Sequence, residues 1–270
     1  MELSITFSDE ELASLAGILS ESVPRIGPST LDGLSTARRA ERLSAAEASL
    51  RSRGIVVTTP TGATEVAVPV ARLVEILSRP VMTVTIHRGV PGGGWDRHAM
   101  EVAVVPEASV LRVVEGGLHR LTPFATSEVL RRVAALTCAT SQVPEGDAPV
   151  QVGVRALARA LRATGEAVVR QELRDAAGET PPATLDALAA AICAHRAAIG
   201  FQSTPRGGRS FGLQLAWVAG AGGAWELPVA ATPLAGEAGS APRGDSLVTL
   251  DPVCGDTLLR ALATVGDAAS

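Results

Sequence analysis

Residues 81–122 read VMTVTIHRGVPGGGWDRHAMEVAVVPEASVLRVVEGGLHRLT. Within them, Val81–Arg88, Ala99–Val105, Val110–Glu115 and Leu118–Thr122 carry apolar residues at period 2 and predict four strands. Turn residues separate them at Gly89–Gly94, Pro106–Ala108 and Gly116–Gly117. Connections this short join antiparallel neighbours, because parallel pairing needs a long crossover. The core of the fold is therefore an antiparallel meander.

The flanks of that meander are helical. Glu2–Phe7 alternates as a short strand, and Ser8 with Glu11 forms a capping box that opens a helix to Ser20. A loop over residues 21–34 leads to a helix from Ser35 to Arg53, stopped by Gly54. Ile55–Val57 and Glu65–Val68 are short extended pieces, and Pro69 starts a helix to Ser78. Another helix spans Ser127 to Cys138. Residues 139–151 read as a linker. Helices follow over Gly153–Ala163, Glu166–Ala176 and Thr184–His195. Four extended segments come next, at Ala198–Thr204, Ser210–Val218, Ala224–Ala230 and Ser246–Leu250, with a last helix over Val253–Val265.

Helices, four strands and a helix thus occur twice. With an offset of 129, residues 118–136 (LHRLTPFATSEVLRRVAAL) lie over 247–265 (LVTLDPVCGDTLLRALATV). Six of 19 positions are identical: Leu118/Leu247, Leu121/Leu250, Pro123/Pro252, Leu130/Leu259, Arg131/Arg260 and Ala134/Ala263. The expectation is an internal duplication, with an N-terminal half over 1–138, the linker 139–151 and a C-terminal half over 152–270. The predicted fold class is α/β of the α+β type. Its mostly antiparallel central sheet comes from two pseudo-symmetric halves, and helical groups cover the sheet.

Composition narrows the function. Hydrophobic residues make up 46% of the 270 and charged residues 19%, enough to build a core. The net charge of −4 supplies no basic surface for nucleic acid. Lys, Tyr and Asn are absent, which a GC-rich coding sequence explains. Without Lys there is no P-loop lysine, kinase lysine or Schiff base. Cys138, Cys193 and Cys254 stand alone, as expected of a reducing cytoplasm. The opening MELSITFSDEEL lacks the basic and apolar regions of a signal peptide. The charge-free stretch around Gly212–Trp225, about 14 residues, is too short to span a membrane.

No catalytic signature emerges. Gly208–Gly212 (GRSFG) matches the GxSxG pattern, but a strand rather than a helix follows Ser210, and none of His87, His98, His119 and His195 comes after it. It reads as a hairpin turn. Cys193 and His195, two apart on a predicted helix, do not share a face, so zinc is not expected. Gly92–Gly94 and Gly220–Gly223 lack the GxGxxG spacing and read as hairpin loops. The first carries Trp95, which could serve as an interface anchor or fold back on the core. Arg155, Arg159, Arg162, Arg170 and Arg174 alternate with acids and read as a solvated face.

Several segments together resemble the EspG family, the cytosolic chaperones of type VII (ESX) secretion in actinobacteria. They are LSITFSDEELASLAGIL at 3–19, Leu50–Val56, Leu77–Pro80 with the strand VMTVTIHR, Ala108–Phe124, and GFQSTPRGGR…WVAGAGGAWEL within 200–227. The resemblance spans the chain as a single EspG-like domain, 1–270. It implies two pseudo-symmetric halves around a central sheet, flanked by two helical bundles. It also implies a non-enzymatic protein without cofactor or metal that binds the PPE subunit of PE–PPE heterodimers and keeps them soluble for export.

The resemblance places the partner against a loop between early strands, here Gly89–Asp96, against the central sheet and against the C-terminal helical region. Val90, Trp95 and Arg97 are the loop candidates. Phe211, Leu213 and Trp217 are the sheet candidates, being odd-numbered on one strand and so on one face. Packing under a helical bundle is the simpler reading of that face. Monomer and weak homodimer both fit, as does a cytoplasmic location. Two other readings stay open: a non-catalytic adaptor with another partner, and a small-molecule enzyme with an unrecognised site between the halves.

Overall fold

The computed structural model describes residues 4–26, 29–89, 92, 95, 98–137, 145–175, 179–203, 211–229, 232 and 246–268, with the backbone alone at 211 and 264–268. It is a mixed α/β structure with a large antiparallel sheet and flanking helices, the predicted class. The chain forms two compact units, one from residues 4–83 with 98–128, the other from 84–95 with 129–203 and 211–268.

In the first unit, β1 (Ile5–Ser8) runs directly into α1 (Asp9–Ile18). Ser8 accepts from the Glu11 amide and the Glu11 carboxylate accepts from the Ser8 amide, both at 3.1 Å, the predicted capping box. α2 (Thr36–Ser52) ends in a Schellman turn: Gly54, at φ +67°, and Ile55 donate back to Arg51 and Leu50. Only glycine adopts that left-handed conformation without strain. The small hairpin β2 (Val56–Thr58) with β3 (Thr64–Val66) leads to α3 (Val68–Ser78).

Along β4 (Met82–Arg88) the chain passes into the second unit and returns for β5 (Ala99–Val105), β6 (Ala108–Glu115) and β7 (Leu118–Phe124). The first unit's strands order as β1-β7-β6-β5, all antiparallel. Phe7, Leu15, Leu50, Val74, Leu77 and Leu121 have no exposed side-chain area and form the centre of its core. Burying each such side chain contributes roughly 1.5–3 kcal/mol.

The second unit continues through a 3₁₀ turn at Thr126–Glu128 into α4 (Val129–Thr137). Then come β8 (Val150–Gly153), α5 (Val154–Ala160), α6 (Glu166–Arg174) and α7 (Pro182–Ala194). β9 (His195–Ser203), β10 (Phe211–Gly220) and β11 (Gly223–Glu226) extend from β4 in the order β4-β9-β10-β11. β12 (Leu247–Leu250) pairs with β8, and α8 (Gly255–Ala268) closes the chain. Trp225, Leu157, Leu161, Leu188 and Val218 centre a core beneath α5, α6 and α7.

Two segments differ from expectation. Val150–Gly153, assigned in part to the end of the linker and in part to the start of the next helix, is strand β8. Its V-Q-V alternation is short, and its partner β12 lies about 100 residues away, so no local pattern announces it. The helix predicted to include His195 ends at Ala194, where His195 turns extended at φ −155°. No Gly or Pro marks that change, and Arg196–Ile199 are buried on both faces, which removes the period-2 signature.

The two units repeat an arrangement. β1 opens α1 and pairs with β7; β8 opens α5 and pairs with β12. Ile5 faces Leu121 where Val150 faces Leu250, and Ser8 faces Leu118 where Gly153 faces Leu247. Both leucine pairs are among the identities aligned at the offset of 129.

Candidate functional site

The predicted docking loop begins at Gly89, directly after β4. The described residues fix its base within the second unit. Gly89 and Trp95 form an isolated antiparallel bridge. The Gly89 amide donates to the Arg196 carbonyl at 2.8 Å. The Gly92 amide donates to the Cys193 carbonyl at 3.2 Å, and the Gly165 amide donates to the Gly92 carbonyl at 2.5 Å. Gly92 has φ +83°, which suits glycine alone. The Trp95 ring is half-buried against the core of this unit, and the Arg196 guanidinium carbon stands 5.5 Å from its centroid. Arg196 has no exposed area, and burial lowers its pKa to about 10.

Val90 and Arg97 lie outside the described residues, as does the side chain of Phe211. Leu213 is half-buried on β10. Trp217, on the same strand face, has no exposed area, and its indole N–H finds no acceptor among the described residues. It packs inside the unit, the simpler of the two readings of that face. The sequence did not single out Arg196. A charged residue opening a buried strand, HRAAIGF, was the available signal.

A second polar constellation lies in the first unit. His119 on β7 donates from Nε2 to Asp9 Oδ1 at 2.5 Å, and its Nδ1 accepts from Arg112 Nε at 3.1 Å. The ring is therefore neutral, with its proton on Nε2. Asp9 also accepts from the Thr30 amide at 2.6 Å and the Thr30 hydroxyl at 3.0 Å. Arg112 donates to the Pro24 carbonyl at 2.6 Å and faces Glu101 across β5 and β6. Glu101, Arg112, His119 and Asp9 are all buried.

The pKa directions follow from this enclosure. Burial holds the His119 pKa below its ordinary value, Asp9 opposing and Arg112 adding to it. Burial pushes Asp9 up, but Thr30 and His119 outweigh it and hold the carboxyl below the usual range. Burial raises Glu101, against the pull of Arg112.

Both His119 nitrogens are committed, so the ring has no free site for proton transfer to a substrate. The cluster instead ties the α1–α2 loop to the sheet. A pocket of about 330 Å³ beside it is lined by Asp9, Arg112, His119, Arg25 and Arg39, among others. A shallower cleft of about 500 Å³ runs along β1, where Arg53 holds both Glu11 oxygens and stacks over Phe7.

Cys193 and His195 sit on different elements, and His195 Nε2 donates to the Thr137 carbonyl at 2.5 Å. Gly208, Arg209 and Ser210 of the GxSxG pattern lie outside the described residues. Among the described residues, no three His, Cys, Asp or Glu side chains gather where they could hold a metal. No helix among them is long and apolar enough to cross a membrane.

Fold and sites together define a mixed α/β protein with a loop pinned on a buried arginine and a structural buried polar network. No protein-family model matches the chain, and no curated protein matches its sequence. Among solved structures, the chain is similar to the Mycobacterium tuberculosis type VII secretion system chaperone EspG5, solved in complex with a PE25–PPE41 dimer. The similarity covers 98% of this chain and 96% of that one, at 16% identity and a TM-score of 0.56. The chain has the EspG fold.

Proposed function

We propose that this protein is a non-catalytic, cytoplasmic chaperone for secreted helical substrates of the PE–PPE type, which it binds through the PPE subunit and keeps soluble for export. The observation that carries the reading is the fold match, which takes in nearly all of both chains. The repeated β1–α1/β7 and β8–α5/β12 units support an origin of the fold by internal duplication.

The docking surface in this reading is the loop Gly89–Asp96 with Val90, Trp95 and Arg97, together with Phe211 and Leu213 at the start of β10. Trp217 supports that strand from inside. Aromatic and arginine side chains at the centre of a small patch carry most of the energy of such interfaces.

The test is co-expression of the tagged chain with a PE–PPE pair from its own genome, followed by size-exclusion chromatography. The expected result is a 1:1:1 complex that Trp95→Ala weakens by roughly 2 kcal/mol or more. Soluble, folded pairs that never co-elute with the chain would refute the function. A complex indifferent to Trp95→Ala would keep the function and move the site.

A further inference from the structure

We propose that Arg196 is a positioning residue for Trp95: it stacks on the ring and, through its carbonyl, holds Gly89, the residue that bridges Trp95, so that Trp95 meets its partner already in place. This rests on the chaperone reading for its consequence in binding, though not for its structural content.

Three observations converge on Arg196. Its side chain is wholly buried yet reaches the ring of Trp95, the one tryptophan of three that is not fully buried. Its carbonyl accepts from Gly89, the residue that bridges Trp95. Its side chain also fills the space a Cβ on Gly89 would need: such an atom would overlap Cγ and Nε and lie 2.8 Å from Cδ. Gly89 is thus glycine because Arg196 lies against it. The loop is held again at Gly92, between Cys193 and Gly165.

A planar guanidinium suits this role. It lies flat on an aromatic face and is less strongly hydrated than an ammonium, so it tolerates enclosure. A side chain held in place before binding avoids the entropy cost of being ordered by the partner.

The experiment uses the full chain with Arg196→Met and Gly89→Ala, the second displacing the guanidinium without removing it. Trp217 and Trp225 are fully buried, so a change in exposure reported by fluorescence comes from Trp95, and Trp95→Phe checks that assignment. Both variants are expected to red-shift Trp95 emission and to speed amide exchange at Gly92, with far-ultraviolet circular dichroism unchanged.

Affinity for the PE–PPE pair is then measured in a double-mutant cycle. Arg196→Met is expected to weaken binding about tenfold in the parent and less than about twofold in a Trp95→Ala background. Equal losses in both backgrounds would place the effect of Arg196 elsewhere and overturn the proposal. So would Trp95 emission and Gly92 exchange that neither variant changes. Should Arg196→Met fail to fold, Gly89→Ala carries the same comparisons. If the parent binds no PE–PPE pair, the chaperone reading falls, while fluorescence and exchange still decide whether Arg196 holds Trp95.

Discussion

Replacing Asp9 by alanine removes the carboxylate that joins three parts of the first unit: α1, the α1–α2 loop and β7. The loss can be worked from the contacts. The His119 Nε2–H is left buried without its acceptor, since the ring is 3% exposed, and a buried orphaned donor costs about 1–3 kcal/mol. The Thr30 amide and hydroxyl lose a charged acceptor but can turn to water, which leaves a net loss of about 1–1.5 kcal/mol. Asp9 is also the first residue of α1, where its charge complements the helix dipole for about 0.5 kcal/mol.

The expected destabilisation is about 2.5–5 kcal/mol, a large share of the ~5–15 kcal/mol that holds a typical protein folded. It would lower the melting temperature by roughly 5–20 °C at a few degrees per kcal/mol. Asp9→Asn keeps an acceptor but not the charge and should cost about half as much, because charge-assisted hydrogen bonds are roughly twice as strong as neutral ones. Urea unfolding followed by circular dichroism, at pH 7.5, compares the three proteins. An Asp9→Ala midpoint equivalent to less than about 1 kcal/mol of loss would refute this reasoning, since it would mean that the network carries no net stability.

Acid should weaken the fold in a window set by His119. Its folded pKa lies below the ordinary 6.5, so the unfolded chain binds more protons, and stability falls as pH drops from about 6.5 through the folded value. The groups facing the ring are Asp9 and Arg112, with Glu101 beyond Arg112. The depressed Asp9 adds a loss only below its ordinary 3.8, and the raised Glu101 acts in the opposite sense above 4.5. His119→Gln should reduce the pH slope of stability below pH 6.5 without abolishing it, because burial depresses His87 and His195 as well. An unchanged slope would remove His119 from the account. Trp217→Phe should cost about 1–3 kcal/mol, from the cavity the smaller ring leaves rather than from a lost hydrogen bond, because the indole N–H has no acceptor among the described residues. It should also leave PE–PPE affinity unchanged, since Trp217 has no exposed area; a tenfold loss at intact stability would return this residue to the interface.

Local chemistry was legible in the sequence. The Ser8–Glu11 capping box spans four residues, and the Gly54 stop lies next to the helix it ends, so both are written within about one turn of chain. The strands β4, β6 and β7 were legible because a more covered face leaves a period of two, while β5, buried on both faces, was marked by the turns around it; the short turns dictated the antiparallel pairing of β5, β6 and β7. The aligned leucines Leu118/Leu247 and Leu121/Leu250 even marked equivalent registers in the two strand pairs.

Tertiary packing settled the rest. His119 meets Asp9 across 110 positions, and β8 finds β12 across about 100, distances over which no periodicity speaks. The sequence placed Trp217 on one strand face with Leu213, but only packing could say that the tryptophan is enclosed while the leucine is half-buried. Arg196 was one arginine among many until the fold set it beneath Gly89 and against Trp95. Burial depends on what covers a face, and the covering elements come from distant parts of the chain. A chain's own periodicity says which residues share a face, whereas the identity of the neighbours, and with it the charge state and reach of each side chain, exists only once the chain has closed on itself.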